Sequence, residues 1–131
     1  MKKIVAFLLA FSFVLCSAPV CFAQEGEKPE MTDYGFVDCG DVKIEYGVYG
    51  KADGEALLLL PPNGGDMHSL DDTILPEMSK HFKVITVSPR GTGNSGWVDG
   101  TMNFETFADD VKAVLKLLAA IQFNRSAANC L

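Results

Sequence analysis

Two short runs with no polar face constrain this chain more than any other feature. They are Ala56–Leu60 (ALLLL) and Val84–Val87 (VITV), the second preceded by Phe82. A strand without a polar face must be covered on both sides, which points to the middle of an α/β sheet, mostly parallel. Each run ends in a glycine-rich loop, PPNGG after the first and SPRGTGNSG after the second. Pro61 and Pro62 close the first run, because neither can donate to a strand ladder.

The flanking segments suit the same layering. Gly35–Cys39 and Val42–Tyr49 read as an antiparallel hairpin around Gly40-Asp41, with Val42, Ile44, Tyr46 and Val48 on one face. Between the apolar runs, Leu70, Ile74, Leu75 and Met78 give Ser69–Lys80 a helical period, and Pro76 predicts a kink or a split into two turns. Phe104–Leu118 is the clearest helix. Phe104, Phe107, Ala108, Val111, Val114, Leu115 and Leu118 share one face, and Asn103 is a suitable cap. Glu105, Asp109 and Asp110 come first, Lys112 and Lys116 later, which suits the helix dipole. Asp71-Asp72 and Asp109-Asp110 read as solvated helix faces.

The termini read differently. Lys2 and Lys3, the apolar Ile4–Leu15 and the small residues Cys21 and Ala23 make a secretory signal peptide over residues 1–23. The alternative is an uncleaved membrane anchor, since Ile4–Ala23 carries no charge. Cleavage predicts an exported protein with no stable membrane association. Residues 24–33 are expected to be a disordered polar leader, 34–123 the folded portion, and 124–131 an anomalous tail. Gln122–Leu131 (QFNRSAANCL) has no β-branched run and no glycine, as in a chain cut short or out of frame.

The formal net charge is −6 at pH 7, two units more negative once Lys2 and Lys3 are removed. That leaves no basic patch for nucleic acid. Export places Cys39 and Cys130 where disulfides persist, though nothing in the sequence brings them together. No CxxC, HExxH or His/Cys cluster is present, so no metal or other cofactor is expected.

Gly91–Gly96 (GTGNSG) matches GxGxxG after a strand. A dinucleotide site needs the helix to open inside that motif, whereas here Trp97–Thr101 intervene before a helix that starts near Asn103. The two loops taken together, with the opening hairpin GFVDCGDVKIEYGVYG, resemble the N-terminal part of the α/β-hydrolase family. That family usually has a His-Gly pair and an oxyanion loop after its first buried strand, and an Asp-x-Arg-Gly-x-Gly-x-Ser turn after the next. Pro61 and Pro62 stand in place of His-Gly, while Asn63, Gly64 and Gly65 match the oxyanion loop. Ser88 replaces the Asp, Thr92 replaces a common His, and Arg90, Gly91, Gly93 and Ser95 match.

The resemblance implies a mostly parallel α/β sheet with an antiparallel opening hairpin. It also implies that the complete protein is a serine hydrolase acting on an ester, amide or related bond of a small molecule. Asn63 would present its backbone N–H to an oxyanion, with Gly64 and Gly65 allowing close approach. Arg90 would pair with a carboxylate and, with Gly91, Gly93 and Ser95, build a structural turn. The family's nucleophile elbow, G-x-S-x-G, does not occur, and no nucleophile or base is identified, so the chain alone is expected to be inactive. His68 reads as a solvated loop residue and His81 as a cation at a helix end. In the family's strand order Ala56–Leu60 lies between Val84–Val87 and the nucleophile strand, so without that neighbour it would be an apolar edge. The other reading is a small exported binding module without catalysis.

Overall fold

The computed structural model describes residues 28–128. The signal segment and Cys130 lie outside them. Among the described residues four strands form one sheet in the order β1-β2-β4-β3, where β1 is Met31–Asp38, β2 is Lys43–Gly50, β3 is Ala56–Leu59 and β4 is Lys83–Val87. The helices α1 over Leu75–Met78 and α2 over Phe104–Ala128 accompany them. The hairpin β1–β2 is antiparallel, β2 pairs antiparallel with β4, and β3 pairs parallel with β4. The two apolar runs therefore lie side by side and point the same way.

Alternation along the strands builds two cores. Ile44, Tyr46, Val48, Ile85 and Val87 pack on one face against Val111, Val114 and Leu118 of α2. Tyr49 and Val84 pack on the other against Met67 and Leu75. A Cβ at Gly47 would stand 2.5 Å from Met67 Cε, so glycine there lets the methionine reach the sheet. β2 is consequently covered on both faces, although its sequence alternates as a one-faced strand. The leucines of β3 are only half buried, because β3 is the edge of the sheet.

Several boundaries differ from the sequence reading. β1 begins at Met31 and takes in residues 31–33 of the expected leader, because this stretch finds a pairing partner in Val48 and Tyr49. Pro76 opens α1 instead of breaking a longer helix. It sits in the first turn, where its missing N–H is not needed. α2 runs ten residues past Leu118 and includes residues 124–128 of the expected tail. Its buried stripe is also rotated. Asp110 is turned inward beside Val111, Val114 and Leu118, whereas Phe104 is 92% exposed and Leu115 also faces out. The reason is an ion pair from Asp110, described below.

Among the described residues nothing pairs with the outer edge of β3. Leu60, just beyond it, is exposed. An apolar edge of this kind is a template for pairing with another copy. The chain is expected to self-associate, and Leu60→Lys, which adds a charge without removing a core contact, should raise the monomer fraction in sedimentation velocity. An unchanged size distribution would show that association uses another surface.

Candidate functional site

Because β3 and β4 are parallel, the loops that follow them emerge at the same end of the sheet. The first loop turns tightly, with Gly65 N–H donating to Pro62 O at 2.9 Å. Gly64, third in that turn, has φ +77°, the conformation a type II turn requires and glycine supplies. Asn63 and Gly64 N–H have no protein acceptor among the described residues. A cleft of about 450 Å³ opens beside them, lined by Pro62–Gly64, by Pro89 and Thr92 of the second loop, and by Phe104 and Phe107 of α2. Asn103 caps that helix, its Oδ1 accepting from Thr106 N–H at 2.8 Å.

The back of the first loop is held at two points. Asp66 Oδ1 accepts from His68 N–H at 2.9 Å, and Asp66 N–H donates to Ser69 Oγ at 2.9 Å. Met67 N–H donates to Ser88 Oγ at 3.2 Å, which ties the first loop to the end of β4.

The second loop is organised by a buried carboxylate, Glu45 of β2. Glu45 Oε2 accepts from Ser88 Oγ at 2.8 Å and from Asn94 N–H at 2.9 Å. Oε1 accepts from Asn94 Nδ2 at 2.7 Å and from Tyr34 Oη at 2.8 Å. Burial alone would raise the Glu45 pKa, but the bonds from Asn94, Tyr34 and Ser88 outweigh it and hold the carboxyl below its ordinary range. Ser95 Oγ completes the arrangement, accepting from Glu45 N–H at 2.9 Å and donating to Ser88 O at 2.7 Å. A Cβ at Gly93 would stand 2.5 Å from Glu45 Oε2, and its φ is +52°, so only glycine passes over the carboxylate here. Gly91 N–H closes the loop onto Gly96 O at 3.0 Å.

Arg90 joins three elements. Its Nε and Nη2 donate to the two oxygens of Asp110 at 2.7 and 3.0 Å, and its Nη1 donates to Asp41 Oδ2 in the hairpin turn at 2.6 Å. The guanidinium and the Asp110 side chain are both almost fully buried. The hydrogen bond from Arg90 holds the Asp41 carboxyl below its ordinary range. Cys39 lies in the same neighbourhood, and burial, then Asp110, pushes its thiol up to about 11.

Reading Asp71-Asp72 and Asp109-Asp110 as solvated faces is therefore corrected for one member of each pair. Asp110 is buried on Arg90. Asp71 is buried with its Oδ2 on His68 Nδ1 at 2.9 Å and on Lys28 Nζ at 2.8 Å. Tyr49 Oη and Asp71 Oδ1 are buried polar atoms with no partner among the described residues. Burial, then the Asp71 and Glu45 charges, push the Tyr49 phenol up to about 12. Glu45 was missed because it occupies the polar position of an alternating strand. Only the density of Ser, Asn and Gly in the second loop hinted that something polar lay beneath.

The described residues place a turn with free donors beside a cleft. Neither histidine contacts a serine hydroxyl among them, His68 pairing with Asp71 and His81 with Glu77. No group of three or more His, Cys, Asp or Glu is arranged to hold a metal ion among them.

No protein-family model and no curated protein matches the chain. Solved structures do. A hydrolase from Pseudomonas aeruginosa matches 71% of this chain at 28% identity, with a TM-score of 0.58. A loop variant of a haloalkane dehalogenase from Bradyrhizobium elkanii matches 66% at 22% identity, with a TM-score of 0.57. A bacterial membrane phospholipase A matches 87% at 19% identity, with a TM-score of 0.58. The chain spans 34%, 28% and 39% of those three proteins, about a third of their length.

Two outcomes follow from the buried charges. Asp110→Ala leaves Arg90 buried without its bidentate partner and should cost about 3–5 kcal/mol, read as a lower denaturant midpoint. The Glu45 contribution is full above the unfolded carboxyl value of 4.5 and is lost as pH falls through the lower folded value. Stability should therefore drop as pH falls below the unfolded carboxyl range, and Glu45→Gln should flatten that slope in denaturant titrations. An unchanged slope would show that Glu45 titrates alike in the folded and unfolded states.

Proposed function

The chain has the fold of the N-terminal portion of an α/β-hydrolase, and on that premise we propose that it supplies the scaffold and the oxyanion turn of an exported serine hydrolase. The substrate is a small molecule with an ester, amide or related bond. The observation that carries this reading is the turn after β3, whose Asn63 and Gly64 N–H groups lie without acceptors among the described residues beside the open cleft.

In this reading the substrate carbonyl enters the cleft and its oxygen gains charge as the nucleophile adds. Asn63 N–H meets that charge with a donor fixed in advance, which stabilises the transition state more than the ground state. Gly64 sets the turn, and Gly65 closes it. Arg90, Gly91, Gly93 and Ser95 shape the second loop and touch no reacting atom. The nucleophile, its histidine and the orienting acid belong to chain beyond α2, so this portion alone should not raise ester hydrolysis above buffer.

Two experiments test the reading. Translating the gene downstream of the Gln122 codon in all three frames should reveal a G-x-S-x-G followed by Asp and His. A clean stop without them would favour the non-catalytic binding module. In a chain carrying the nucleophile, Asn63→Pro keeps the second position of the turn, where proline is favoured, but removes the N–H. It should lower kcat by about 10²–10³-fold with little change in KM. Unchanged kcat would remove Asn63 from the site.

A further inference from the structure

A continuous hydrogen-bond chain runs beneath the two loops. Met67 N–H donates to Ser88 Oγ, and the Ser88 hydroxyl donates to Glu45 Oε2. All three residues are within 1% of complete burial. A hydroxyl has one proton. Directing it at the carboxylate leaves a lone pair facing Met67 N–H, and bonds in series of this kind polarise one another. Met67 lies two residues past Gly65, which closes the Pro62–Gly65 turn.

We infer that Glu45 is a positioning residue for the oxyanion turn: its charge orients the Ser88 hydroxyl, which holds Met67 and thereby the loop carrying Asn63. This rests on the reading of Asn63 given above. The role belongs to the ionised form. A neutral Glu45 no longer demands the Ser88 proton, and the hydroxyl is released from its fixed direction.

The surroundings make the effect attributable. Tyr34 of β1 and Asn94 and Ser88 of the second loop face the carboxylate directly, and Tyr49 shares its strand. Both phenols are shifted up and stay neutral in acid. On the first loop Asp66, His68 and Asp71, with Lys28 on Asp71, are the other ionisable groups. The Glu45 contribution at Met67 is thus the part of its titration that Glu45→Gln removes.

The test follows backbone amide shifts of the full chain by NMR from neutral to acid pH. Met67 and Asn94 should share an acid-range step below the usual carboxylate midpoint. Glu45→Gln should abolish that step at both sites. Ser88→Ala should abolish it at Met67 and leave it at Asn94, while lowering Met67 amide protection about fivefold, the scale of one hydrogen bond. A wild-type Met67 with no shared step overturns the inference, as does a Glu45-dependent step that survives Ser88→Ala. Neither measurement uses a substrate, so the relay can fail while Asn63 keeps its role, and a chain with no hydrolytic role can still show the relay.

Discussion

The Glu45 carboxylate is the constraint on which both loops depend. It lies under the second loop, away from bulk water, and an ion in that position is tolerated only when its lone pairs are filled. Four donors fill them, from Tyr34, Ser88 and both nitrogens of Asn94. Meeting that requirement dictates the path of residues 88–95, demands glycine at 93, and turns Ser88 so that it can also receive Met67. Loop shape in this molecule follows from solvating one charge from within.

The comparison with the family pattern takes on a physical meaning here. Ser88 stands where that pattern has an aspartate. Glu45 brings a carboxylate from the adjacent strand to the same pair of loops. Arg90 is conventional by contrast, a bidentate partner for Asp110 that joins the turn, the hairpin and α2. One of its effects reaches far along the chain, since it fixes which face of a 25-residue helix meets the sheet.

Elements whose pattern is local were legible in the sequence. The apolar runs announced β3 and β4 and their parallel pairing, and Gly40-Asp41 announced the hairpin. The features that escaped depend on partners distant in the chain. Glu45 looks like the wet side of a strand until Asn94, forty-nine residues later, is seen lying over it. Asp110 looks like a helix surface residue until Arg90 reaches it, and for that reason the expected face keeps Phe107, Val111, Val114 and Leu118 but yields Phe104 and Leu115 to solvent. α2 runs on past Leu118 because a stretch with little β-branching and no glycine offers nothing against a helix. The first loop was recognisable from Pro62–Gly65, but its anchorage through Met67 was not, because neither methionine nor serine advertises such a bond.

The alternation of β2 has one more effect. Glu45 sits between Ile44 and Tyr46, whose side chains enter the opposite core. A hairpin that paired one residue out of step would exchange the faces and drive an ionised carboxylate in among Val111, Val114 and Leu118, with no donor to receive it. The mispaired sheet would be penalised once that helix packs on it. The acid that shapes the mature loops thus also serves as a proofreader of strand alignment while the protein folds.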